Sequence, residues 1–146
     1  MTFAPDGRTL AVGGIDGRGR LWRTADWRLD GPPLGTHAGF ASFVAFDPRG
    51  HRLATGSNDG IRLWDRESRQ LIGTPLPVPT NLAAPAFSPD GRQLVTVYAN
   101  GRGFVWDVTR ARWLEHACEV AGRGLTRTEW RALVPGRRYD PVCRER

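Results

Sequence analysis

This chain of 146 residues predicts an all-β fold assembled from about three copies of one four-stranded antiparallel unit. Three observations carry that expectation. Trp22, Trp64 and Trp106 stand 42 residues apart, and Phe3, Phe46 and Phe87 follow at spacings of 43 and 41. Paired turn signals recur between each Phe and its Trp: Asp6-Gly7 and Asp16-Gly17, Arg49-Gly50 and Asp59-Gly60, Asp90-Gly91 and Asn100-Gly101. Finally, residues 29–34 and 71–76 repeat an L-x-G-x-P-L pattern, again 42 residues apart. A period near 42 with four short strands per copy matches a blade of a β-propeller. A helical repeat of that length would need apolar residues at i, i+3 and i+4, and that spacing is absent.

The units fall at about 1–36, 37–79 and 80–108. In the first, little more than Met1-Thr2 precedes Phe3, whereas residues 40–46 of the second supply a full apolar run before Phe46. Inner strands are read at Leu53–Thr55 and Ile61–Trp64 in the second unit, and at Leu94–Tyr98 and Phe104–Trp106 in the third. Asp-Gly and Asn-Gly between them supply the positive φ of tight hairpin turns. A fourth strand follows each tryptophan. Pro33 and Pro75 cannot donate to a ladder, so that strand belongs on the outer edge. Unit three departs: seven residues beyond Trp106 comes Trp113, and the L-x-G-x-P-L pattern is gone.

From 109 to 146 the pattern turns helical. Trp113, Ala117 and Ala121, flanked by Leu114 and Cys118, share one helical face, and Gly122 suits its end. Thr126 and Glu129 form a capping box, with Leu125 and Trp130 as a hydrophobic staple. This tail is expected to cap the last blade or one end of the propeller. Cys118 and Cys143 read as packed thiols rather than a bridge.

No apolar run is long enough to span a membrane. The N-terminus has no basic stretch leading into an apolar core, so the cytoplasm is the expected compartment. All 21 basic residues are Arg, which with abundant Ala and Gly reads as the codon bias of a GC-rich bacterial genome. Residues 1–108 carry 12 Arg against 10 acidic residues, and 109–146 carry nine Arg against five. Nucleic-acid binding through that Arg-rich tail, with Arg137 and Arg138 as its test residues, is the alternative functional reading. It is not favoured, because no Arg cluster is interleaved with aromatic residues as a single-strand binder requires.

Phe87–Arg92, F-S-P-D-G-R, and Leu63-Trp64-Asp65 resemble the opening and closing motifs of the WD-repeat β-propeller family, in particular its bacterial members. The resemblance covers residues 1–108. It implies a partial propeller whose middle unit holds a structural hydrogen-bonded tetrad of His37, Thr55 or Ser57, Asp59 and Trp64. Unit one departs, with Gly13 aligned on Thr55 by the tryptophan spacing. Unit three has Asn100 in its turn and no preceding His. The tail resembles the C-terminal end of bacterial WD-repeat proteins, many of which carry a signal-transduction NTPase or other effector domain upstream.

His37, Asp59 and Ser57 could also be read as a catalytic triad, but nothing suggests an exposed nucleophile beside an oxyanion hole. His51 and His116 lack a second ligand at useful spacing, so no metal is expected. No phosphate loop or nucleophile elbow occurs, so no enzyme activity and no cofactor are expected. The function implied is a non-catalytic protein-interaction scaffold, the C-terminal part of a larger regulatory protein. Ile15, Phe40, Asn58, Thr80, Asn81 and Ala99 fall on the loop face expected to meet a protein partner. Three blades cannot close a ring, so upstream blades or self-association are expected to complete it.

Overall fold

The computed structural model describes residues 1–77, 82–98, 101–109 and 126–128; for 82–84 it describes the backbone alone. The chain divides into two compact units, Met1–Asp107 and Val108–Arg146. In the first unit, the described residues form nine strands in three antiparallel sheets of simple up-and-down order. Sheet one holds β1 (Thr2–Phe3), β2 (Thr9–Gly13) and β3 (Gly19–Arg23). Sheet two holds β4 (Phe43–Phe46), β5 (Arg52–Ser57) and β6 (Gly60–Asp65). Sheet three holds β7 (Leu82–Phe87), β8 (Gln93–Tyr98) and β9 (Gly103–Asp107).

The repeat reappears as a cross-strand ladder. Phe3 pairs with Leu10 and Leu10 with Trp22. Phe46, Leu53 and Trp64 line up the same way, as do Phe87, Leu94 and Trp106. Because side chains alternate along a strand, each ladder occupies one face of its sheet. The opposite faces carry the pairs Ala11–Leu21, Ala54–Leu63 and Val95–Val105. Leu53 and Trp64 of sheet two pack with Ala11, Leu21 and Leu34 of unit one, and Val44 and Phe46 lie against that cluster. The core therefore sits between sheets, ladder face against aliphatic face.

Two arginines tie the sheets together at the end where the first turns lie. Arg66 reaches from sheet two to Asp6 Oδ2 at 3.1 Å and Thr9 Oγ1 at 2.7 Å, with its guanidinium 5.6 Å from the Phe46 ring centroid. Arg52 donates to the Gly91 carbonyl of unit three and lies over Phe87, while its backbone N–H donates to Asp47 at 2.8 Å. Charge-assisted bonds of this kind set the register between blades as well as adding energy.

The fourth strand differs from expectation. Among the described residues each sheet has three strands, and the L-x-G-x-P-L segments accompany β3 and β6 only through separate bridges, Trp22 to Leu29, Trp64 to Leu71 and Ile61 to Leu76. The backbone still bonds there: Asp30 N–H donates to Leu21 O at 2.8 Å and Ile72 N–H to Leu63 O at 2.7 Å. Continuity fails between the bridges because Gly31 and Gly73 take φ of 78° and 70°, out of the extended region. Pro32 and Pro33 after Gly31, and Pro75 two residues after Gly73, have no N–H to offer.

The glycines of the paired turn signals take the positive φ expected of them. At Asp6-Gly7 only the glycine has positive φ, 68°, and the Asp6 carboxylate accepts from Arg8 N–H at 2.9 Å. Arg49-Gly50 and Asp90-Gly91 also place the positive φ on the glycine alone. Trp113, the capping box through Glu129, Arg137, Arg138 and both cysteines lie outside the described residues.

Candidate functional site

The second unit's two-residue turn, Asn58-Asp59, joins Ser57 directly to Gly60. That geometry lets the Asp59 carboxylate reach back over the connection from unit one, residues 31–42. Its Oδ2 accepts from Ala38 N–H at 2.7 Å, and its Oδ1 lies 2.6 Å from His37 Nδ1. His37 Nε2 is 2.8 Å from Thr55 Oγ1, which also accepts from Trp64 Nε1 at 2.8 Å. Only one proton arrangement satisfies every member. Trp64 donates to Thr55, Thr55 donates to His37 Nε2, and His37 donates from Nδ1 to Asp59. His37, Thr55, Asp59 and Trp64 are thus joined in one chain of bonds. Ser57 is not a member: its Oγ is buried with no hydrogen-bond partner among the described residues. With both His37 nitrogens occupied and Ser57 Oγ bonded to neither, the triad arrangement is not formed.

Arg62, unremarked in the spacing, completes the cluster. Its Nη1 donates to Asp59 Oδ1 at 3.1 Å and also lies against His37 Nδ1. The signal was available, because Arg20 and Arg62 occupy the same place before Leu-Trp in two units. Arg20 in turn pairs with the turn carboxylate of its own unit, Asp16, at 2.5 Å. Bonds from Arg20 hold the Asp16 carboxyl down at about 2.

Burial pushes the His37 imidazole below its ordinary 6.5, against the pull of Asp59 and with the help of Arg62. Burial also acts to raise Asp59, but the bonds from Arg62, Ala38 and His37 outweigh it and hold the carboxyl well below 3.8. Both shifts have the same sign for stability. The unfolded imidazole takes up a proton below 6.5 that the folded one resists, so stability falls as the pH drops through that value. A second loss follows below 3.8, where unfolded carboxylates protonate before Asp59 does. Urea unfolding at about pH 7.5 and at about pH 5.5 is expected to show lower stability at the acid value, and a smaller difference in His37→Gln. Equal stability of the wild type at both values would rule out a neutral, buried His37.

The same bonds stitch three turns into one surface. Ala41 N–H donates to Gly14 O at 3.0 Å and His37 N–H to Gly17 O at 2.8 Å, fastening the 37–41 loop on the β2–β3 turn. Ala38 is fastened to the β5–β6 turn through Asp59. Ile15 is 84% exposed and Phe40 66% exposed on these turns, and Asn58 is exposed beside them. Thr80, Asn81 and Ala99, expected on this surface, lie outside the described residues. Among those described, no group of His, Cys, Asp and Glu is arranged to hold a metal.

The spacing also misplaced one equivalence. Thr55 pairs with Arg62, and its counterpart opposite Arg20 is Val12, not Gly13. In unit three the counterpart is Thr96, opposite Phe104, which accepts from Trp106 Nε1 at 3.2 Å and so keeps half of the chain of bonds. The β2–β3 and β8–β9 turns are each longer than the β5–β6 turn, which shifts the register by one.

Stacked up-and-down sheets with repeated ladder faces are the blades of a β-propeller. Residues 1–23 and 32–65 match the family described as "WD domain, G-beta repeat", so WD40 repeats are found there, in keeping with these blades. It is 33% identical over 108 residues to "Periodic tryptophan protein 2 homolog" of Schizosaccharomyces pombe, which covers 73% of this chain and 12% of that protein. Against "Protein HIR1" of Yarrowia lipolytica identity is 31% over 152 aligned positions, covering 75% of this chain and 14% of that one. Against "Guanine nucleotide-binding protein subunit beta" of Nicotiana plumbaginifolia it is 36% over 112 residues, 72% of this chain and 29% of that protein. The chain thus spans less than a third of the length of these curated relatives.

Proposed function

We propose that this chain is a non-catalytic protein-interaction scaffold that meets its partner with the turn face carrying Ile15, Phe40 and Asn58. One observation carries the reading. Two large apolar side chains stand exposed on turns that buried hydrogen bonds hold rigidly in register, which gains a monomer nothing and suits a docking surface. The match to a G-protein β subunit, a chain named for its place in an assembly, supports the same class of function. Thr80, Asn81 and Ala99 extend this face in the proposal. A bacterial source on residue usage, a regulatory role on the tail resemblance and the cytoplasm on the sequence's lack of a membrane-length apolar run belong to the same proposal, while these relatives are fungal and plant proteins. Blades beyond the three described sheets complete the ring.

A tagged chain bearing Phe40→Glu and Ile15→Glu is expected to lose most co-purifying protein while melting within about 2 °C of the wild type, as surface substitutions do. Unchanged co-purification would dismiss this face. Loss of folding would place both side chains in a core.

A further inference from the structure

The Phe40 side of the turn face hangs from one titratable side chain. Among the described residues, the stretch from His37 to Ala41 is tied to sheet two and its turn only at its first two residues: His37 bonds Thr55 and Asp59, and Ala38 N–H donates to Asp59. Beyond them Gly39 passes over Ser57, close enough that a Cβ would stand 3.3 Å from Oγ, yet Ser57 Oγ has no hydrogen-bond partner among the described residues. Phe40, the exposed apolar residue, follows directly. Whatever parts His37 from Thr55 and Asp59 therefore loosens Phe40.

The closed loop has no place for a second proton on the ring. Nδ1 already donates to Asp59, so the proton must go on Nε2. Nε2 lies 2.8 Å from Thr55 Oγ1, and the Thr55 hydroxyl hydrogen already fills that gap. Thr55 would have to turn its hydrogen away while still accepting from Trp64 Nε1. The charge is no better placed. Arg62 lies against the ring and shares Asp59 with it, so an imidazolium would set two cations on one carboxylate. The β2–β3 turn, also packed on the loop, brings Asp16, which Arg20 already holds, and Arg18, opposite Thr36. In an opened loop the ring meets water and takes the proton freely.

We infer that His37 is a proton-operated latch on the docking face: in acid the loop lifts from sheet two, and Phe40 leaves its place beside Ile15 and Asn58. The inference rests on the reading that these residues form the docking face, and it adds how that face is switched off. Its range follows from proton linkage. Burial holds the closed ring below its ordinary 6.5, while the open ring titrates near that value. Acid therefore favours the open loop, by up to about tenfold between about pH 7.5 and about pH 5.5. Asp59 stays ionised throughout, since its bonds hold it well below 3.8.

Hydrogen exchange of the 146-residue chain at those two pH values, corrected for the intrinsic rate, tests it. The amides of His37 and Ala38 report the loop, because they donate to Gly17 O and Asp59 Oδ2. Both are expected to exchange faster than the amides of the β5–β6 ladder at either pH, and to lose up to about tenfold in protection at the acid one. His37→Gln has no imidazole to titrate and is expected to show no such loss. Arg62→Gln removes the cation that opposes the proton, so its loss is expected to be smaller than that of the wild type; it keeps the test decisive where His37→Gln does not fold. Loop amides as slow as the ladder would mean that the loop opens only with the whole chain. That result, protection unchanged between the two pH values, or a full loss in either variant would overturn the latch. Exchange needs no partner, so the two readings fail separately. If partner capture ignores Phe40→Glu and Ile15→Glu, the docking face falls while exchange still decides the latch.

Discussion

Replacing Thr55 by valine is expected to destabilise the chain by roughly 2–5 kcal/mol, because one hydroxyl serves two buried partners. Thr55 Oγ1 accepts from Trp64 Nε1 and bonds His37 Nε2, each at 2.8 Å, and Thr55 is 1% exposed. Valine keeps the shape and removes both bonds, leaving an indole N–H and an imidazole nitrogen without partners where water does not reach. Each orphaned group costs about 1–3 kcal/mol. For a unit of this size the melting temperature should fall by at least about 10 °C. Ser57→Ala is the control. Its hydroxyl is equally buried but has no hydrogen-bond partner among the described residues, so its removal should change stability by about 0.5 kcal/mol or less. Equal losses in the two variants, or a larger one in Ser57→Ala, would contradict the chain of bonds described. The expected contrast also separates the structural role from a triad, in which Ser57 would be the indispensable hydroxyl.

Sequence periodicity reached the repeat and the blade class, since both follow from residue type at a fixed spacing, whereas the hydrogen-bonded cluster was reached only through the family resemblance. What it missed depends on register. Spacing counted from tryptophan to tryptophan cannot see that the β5–β6 turn is shorter than the β2–β3 turn, so it aligned Thr55 with Gly13. It could not choose between Thr55 and Ser57 either, because both point to the same face of β5 and only the position of the His37 loop decides between them. The outer segments looked like strands by pattern, yet a left-handed glycine, Gly31 or Gly73, interrupts each one. Arg62 was passed over as one more surface arginine. Its role appears only once the short turn brings Asp59 over it.

Gly13 turns that register error into a decisive experiment. If the tryptophan spacing were the true alignment, Gly13→Thr would supply the hydroxyl that unit one lacks and would be neutral or helpful. The folded geometry predicts the reverse. A Cβ at residue 13 would stand 1.9 Å from the Ala41 carbonyl oxygen, a backbone atom that cannot rotate away. Ala41 is fastened to Gly14 O by its own N–H, and the same loop carries His37 into its bonds with Asp59 and Thr55. Any side chain at 13 therefore has to lift the 37–41 loop, which both breaks the backbone tie and draws His37 from its pocket. Gly13→Thr is expected to cost at least about 3 kcal/mol, at the upper end of overpacking penalties. It should also abolish the difference in stability between about pH 7.5 and about pH 5.5 that a buried neutral His37 produces. Val12→Thr places the same hydroxyl one residue earlier, opposite Arg20 on a half-exposed face, and is expected to cost about 1 kcal/mol or less. A Gly13→Thr chain as stable as Val12→Thr would mean that the 37–41 loop does not lie on sheet one, and the rigid turn face proposed for partner binding would lose its support with it.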